Sequence, residues 1–164
     1  MTTRTTTRPL LDSPPIPVQA KLAAAWTSFM FFYIYVDYLH LYKPGVVSDI
    51  LNGIVFVFPI SVTFVVTTLA LLAVPMFMVL LSAALPPRAN RITNLVVATL
   101  YVPFTVYNVS GAGSWWPFYV LAIVLECVLL AFILRTAWTW PRTLATPADL
   151  TAAGRHVEPI EANR

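Results

Sequence analysis

The chain has 164 residues, of which 59% are hydrophobic and only 10% charged, against roughly 45–50% and about 25% in ordinary soluble domains. A soluble domain of this size cannot hide so much apolar surface, because its own surface is too large for its volume. The formal net charge of +3 is a modest excess; it excludes no fold, gives no reason to invoke nucleic acid, and leaves the lipid bilayer as the partner the composition demands.

Residues 1–20 are polar, low in complexity and proline-broken (TTRTTTRPLLDSPPIP), which predicts a flexible tail rather than a cleaved signal peptide. Four apolar segments follow, from about Leu22 to Tyr42, Pro59 to Leu85, Ile92 to Asn108 and Pro117 to Trp140. Each approaches the roughly 20 residues with which a helix crosses about 30 Å of hydrocarbon. Between the first two, Val46, Val47, Ile50, Leu51 and Ile54 fall on one side of a short interfacial helix. Residues 142–164 form a second polar tail, with room for one helical turn near Ala148–Ala153.

Nothing alternates with the period of two that a transmembrane barrel requires, so the segments read as helices. The expected fold is therefore all-α, an up-and-down integral-membrane four-helix bundle over residues 21–141. Pro59 and Pro117 fit the first turn of a helix. Pro44, Pro86 and Pro141 stand after helix ends. Pro75 and Pro103 are interior and kink their helices unless neighbouring groups satisfy the carbonyls they free.

Basic residues set the orientation. Arg4, Arg8 and Lys21, then Arg88 and Arg91 in a Pro86–Arg91 loop, then Arg142, Arg155 and Arg164 all fall on one side of a four-span chain, with only Lys43 opposite. Positive residues stay in the cytoplasm, which places both termini inside. Trp26, Trp138 and Trp140 are expected in the inner aromatic belt, and Tyr42, Trp115, Trp116 and Tyr119 in the outer one.

Several chemistries are excluded. Cys127 is the only cysteine, so a single chain holds no CxxC pair; among leucines and valines it acts as a small apolar residue. With His156 in the tail, only His40 is available near the bilayer, so neither a bis-His haem nor a multi-His metal site can form. No phosphate-binding loop or nucleophile elbow is present. No metal or other cofactor is expected, and no enzymatic constellation is visible.

What remains is a short set of polar groups that cost energy in lipid. Tyr33, Asp37 and His40 share one face of the first helix at i, i+4, i+7. At a 1.5 Å rise per residue, Asp37 sits about 8 Å and Glu126 about 13 Å below the outer boundary. Tyr107 and Asn108, ending the third helix, reach a similar level. One cluster of Asp37, His40, Glu126, Tyr33 and Asn108 in the outer half of the bundle is the candidate site. A charge at the helix centre costs about 2.5–3.5 kcal/mol even on the mildest scale, so Glu126 is expected neutral and turned inward. The competing reading makes these groups plain interhelical contacts. Arg135, nearly opposite Glu126 on its helix, snorkels to the inner headgroups. The aromatic run Phe29–Tyr38 is read as packing and lipid contact, with a pocket for a flat lipophilic ligand as the sharper option.

The stretches KLAAAWTSFMFFYIYVDYL, ALPPRANRITN and LECVLLAFILRTAWTWP resemble an uncharacterised family of small bacterial four-helix membrane proteins, known only as a domain of unknown function, over roughly residues 21–141. The resemblance implies that Asp37, Glu126 and the cytoplasmic loop residues Arg88, Asn90, Arg91 and Asn94 belong to the family pattern. Relatives carry an acid just before the proline of the second helix, where this chain has Ala73-Val74-Pro75; that departure weakens any relay of three carboxylates. The label supplies no activity.

Two functions from different classes fit. One is binding or passing a small solute, a lipid or protons through the outer-half cluster. The other is an accessory or scaffolding subunit whose polar residues hold helices together, with a homo-oligomer or another membrane protein as partner. A membrane enzyme acting on lipid or quinone stands third.

Overall fold

In the computed structural model, which describes residues 15–107 and 113–141, α1 (Val18–His40) turns a stripe of Leu22, Ala25, Trp26, Phe29 and Tyr33 inward. That three-and-four spacing is what one face of a 3.6-residue helix requires. After His40 the chain makes a turn at Gly45, whose φ of 93° suits glycine, and enters the short helix α2 (Val46–Leu51). The sequence predicts a short helix here, but Ile54, which it counted on that helix, falls in a strand. A two-stranded antiparallel hairpin that it does not predict follows, β1 (Ile54–Val55) pairing with β2 (Phe58–Pro59).

Pro59 thus lies in a strand and does not open the second long helix. That helix, α3 (Val62–Ala84), starts at Ser61, whose side chain accepts from the Phe64 N–H at 3.1 Å. The hydroxyl satisfies one orphan donor of the first turn, a service Pro59 has no side chain to supply. Only Leu85 and Pro86 then separate α3 from α4 (Pro87–Tyr107). The expected loop over Pro86–Arg91 is therefore helix. Pro87 occupies the first helical position, where its missing N–H costs nothing, and Arg88, Asn90, Arg91 and Asn94 lie on the first two turns of α4. After a 3₁₀ turn (Gly113–Trp115), α5 (Trp116–Trp138) begins with Pro117 in its first turn, as expected. The two tails and Asn108 lie outside the described residues, except that α1 starts at Val18, inside the span read as tail.

The described residues are mostly helical, and α1, α3 and α5 are long and apolar enough to cross a membrane. Helix α4 does not join them, because polar residues occupy its first two turns. Helix α1 lies between α3 and α5, and α5 carries α4. Helices α3 and α4 touch far less than either touches its main neighbour, although the shortest link joins them. The space between α1 and α4 is instead filled by rings: Tyr101 stands 6.3 Å from Trp26 and 6.1 Å from Phe29, both edge-on. Outward, α3 bares Val62, Val65, Val66, Leu69, Met76, Phe77 and Leu80, an apolar face far larger than an aqueous surface carries.

Two polar devices hold this core. Pro75 has no N–H for the Leu71 carbonyl, and the Tyr101 hydroxyl donates to that carbonyl at 2.5 Å. This is the satisfaction of a proline-freed carbonyl that an apolar setting requires. Near the other end, Asn94 Oδ1 accepts from the Trp26 indole at 2.7 Å and from Ser82 Oγ at 3.3 Å, while its Nδ2 donates to Asn90 O and Oδ1. Asn90 Nδ2 in turn donates to Ser82 O at 2.6 Å. Trp26, Ser82, Asn90 and Asn94 are completely buried. Trp26 is thus no belt residue; its N–H is spent on this network. Arg91 leaves the network and donates from Nε to Ala137 O at 3.1 Å, capping the carbonyl end of α5.

Candidate functional site

The other end of the molecule is hollow. A cavity of about 430 Å³ opens between α1, α3 and α5 beneath α2 and the hairpin. Tyr33, Asp37 and His40 line it from α1, as their shared face predicts, and Glu126 lines it from α5. The two carboxyl groups lie within electrostatic reach of each other. Four of the five candidate residues therefore converge. Asn108 lies outside the described residues. Its neighbour Tyr107 lines an adjoining cleft of about 340 Å³, with Lys43 and Asp49, which shares His40, Phe56 and Phe58 with the cavity.

The acids differ in setting. Glu126 retains only 3% of its exposure and lies on the inward stripe of α5 with Ala122, Leu130 and Ile133. Beside it on α4 is Thr105, fully buried, whose hydroxyl has no partner of hydrogen-bonding geometry among the described residues. Asp37, by contrast, is exposed to the open space. The rule that intramembrane acids face protein or water holds for both, by burial for one and by cavity for the other.

The rim is aromatic. His40 Nδ1 and the Tyr119 hydroxyl share a 2.6 Å hydrogen bond. Tyr119 is only 7% exposed, so it is a wall of the site and not an outer-belt residue; its hydroxyl has a half-buried partner in His40 and has no need of the headgroup layer. Lys43 Nζ sits 5.9 Å above the Tyr119 ring. On its other face His40 stacks on Phe56 at 4.7 Å. Phe56 is the first residue of the two-residue hairpin loop and has a φ of 56°, a left-handed conformation that costs a bulky residue of order 1 kcal/mol and draws notice to its role. The FVFP run gives no warning of this, since two-residue hairpins normally announce themselves with glycine or asparagine. Tyr119 was findable: it lies seven residues before Glu126, on the same helical stripe. Among the described residues no group of three or more His, Cys, Asp or Glu side chains stands together as a metal site.

The loop group resolves differently. Asn90 and Asn94 are the interior network described above, Arg91 is a helix cap, and none of them reaches the cavity.

Long apolar helices and a hollow bordered by two carboxyl groups define an all-α protein with candidate membrane spans. The chain belongs to a family of unknown function (DUF6326), whose model matches residues 18–146. No curated protein and no solved structure matches the chain.

Proposed function

We propose that this is a four-span protein of the bacterial cytoplasmic membrane, both termini inside, that binds or passes a small solute through the outer-half cavity. In this reading α4 is the remaining span. Its polar turns are carried into the membrane because Asn90, Asn94 and Ser82 satisfy one another and Arg91 reaches the α5 carbonyls. The observation that carries the proposal is the convergence of Asp37, His40 and Glu126 on one cavity of about 430 Å³, within the range of small-molecule sites. A purely structural pair of acids would be expected to pack against partners, whereas these border open space.

The Asn90–Asn94 network favours a second reading for its own end of the molecule, as interhelical contacts of an accessory subunit. Thr68 separates the two. It lines the cavity from α3 and is exposed there, so Thr68→Trp fills the hollow without touching either acid. The protein should be extracted in native-lipid nanodiscs and its bound small molecules identified by mass spectrometry. The cavity reading predicts an occupant in the wild type that Thr68→Trp displaces. Identical contents, with protein partners retained by both, would favour the accessory subunit.

A further inference from the structure

We propose that the cavity is built for a lipophilic organic cation, a single positive charge carried on apolar and aromatic bulk. The inference rests on the cavity reading above and assigns its ligand class. Its basis is the lining. Six aromatic side chains line the space, Tyr33, Phe56, Phe58, Phe64, Phe104 and Tyr119. They are arranged as walls: Tyr33 and Phe104 stack at 6.5 Å with planes 8° apart, and Phe58 and Phe64 stack at 6.0 Å. Aromatic faces carry negative potential and attract cations within about 6 Å of the ring, most strongly when water is excluded. Asp37 and Glu126 add carboxyl groups to the same walls; no Lys or Arg lines the cavity itself, and Lys43 stands outside it over the Tyr119 ring.

The alternatives fit less well. An anion meets two acids and an aromatic lining with no Lys or Arg among it. A neutral acyl chain gains the aromatic contact but leaves the exposed Asp37 carboxylate without a counter-charge in an apolar setting, where an unpaired charge is costly. An inorganic divalent ion needs about six oxygen ligands, and two carboxyls among rings do not supply them. Only a cation with an apolar body uses both kinds of wall, with Asp37 as principal counter-charge and Glu126 deeper in the hollow. Phe56 caps this box, held over His40 by the ring stack at 4.7 Å.

The test uses the full chain in phosphatidylcholine nanodiscs, with empty nanodiscs subtracted, and equilibrium dialysis of tetraphenylphosphonium against tetraphenylborate. These probes are nearly equal in size and opposite in charge. Saturable binding of the phosphonium alone is expected, weakened tenfold or more by Asp37→Asn, kept within about threefold by Asp37→Glu, and abolished by Thr68→Trp. Retention with glutamate guards against reading a folding defect as loss of a site. Equal binding of the borate, still abolished by Thr68→Trp, would overturn the cation class and leave the cavity reading intact. A wild type that binds neither probe would overturn the inference. If its native occupant were neutral and displaced by Thr68→Trp, the cavity reading would survive alone.

Discussion

Tyr101→Phe removes one oxygen, and the structure says where the loss falls. Pro75 leaves the Leu71 carbonyl without its helical donor, and the Tyr101 hydroxyl replaces that donor from α4. Without it the carbonyl has no partner, and an unsatisfied buried polar group costs roughly 1–3 kcal/mol in water-soluble proteins. Side-chain hydrogen bonds measured within membranes average about 0.6 kcal/mol with a maximum near 1.7. We therefore expect a loss of about 1 kcal/mol, a factor of about five in the unfolding equilibrium. The diagnostic step is to repeat the change in a Pro75→Ala background. Alanine restores the N–H that Leu71 lacks, so Tyr101→Phe should then cost only a few tenths of a kcal/mol. Pro75 is completely buried, and its replacement leaves a small void, but that term appears on both sides of the cycle and cancels. Reversible unfolding in mixed detergent–lipid micelles, followed by circular dichroism, reads all four proteins. If Tyr101→Phe costs the same with proline or alanine at position 75, the repair of the proline gap is refuted.

Asn94→Leu strands the Trp26 indole N–H, Ser82 and part of Asn90 together; it should destabilise by about 2–3 kcal/mol, the sum of several lost bonds, and a change within 0.5 kcal/mol in the same micelles would contradict the network. Glu126→Gln should leave thermal stability in detergent nearly unchanged, since the amide keeps size and hydrogen bonding, whereas Glu126→Leu should lower it; the reverse order would place Glu126 outside the described packing. Reporter fusions after Leu85 and after Arg142 should read as cytoplasmic and one at Gly113 as external; a cytoplasmic Gly113 fusion would sink the orientation. Arg91→Ala should speed amide exchange in the last turn of α5, where Arg91 caps Ala137 O, and unchanged exchange there would remove the cap from the account.

The long helices were legible because apolar runs of span length have few structural options, and the face shared by Tyr33, Asp37 and His40 follows from helical spacing alone. Helix ends were less so. Ser61 and Pro87 set the starts of α3 and α4 through local capping chemistry, which a hydropathy reading overruled by extending one apolar run back to Pro59 and delaying the next to Ile92. The polar residues of the Arg88–Asn94 stretch looked like a loop because polarity usually means water. Asn90 and Asn94 are instead buried and join Trp26 and Ser82 in a network across three helices, a relation between residues up to 68 positions apart that no local window contains. The same limit hid the cavity's other wall. Phe56, Phe58, Phe64 and Thr68 carry no signal of their own, and only the fold of the hairpin over α1 and α3 brings them to Asp37.

The central claim, that Asp37 and Glu126 border a hollow reached from the outer side, is tested most directly by cysteine accessibility. In a Cys127→Ser background, Thr68→Cys faces the cavity from α3, while its neighbour Leu69→Cys sits on the outward apolar face, 63% exposed. A membrane-impermeant cationic thiosulfonate added outside intact cells should modify cysteine at 68 at least tenfold faster than at 69. Equal rates, or modification at 69 alone, would contradict the cavity and with it the proposed function.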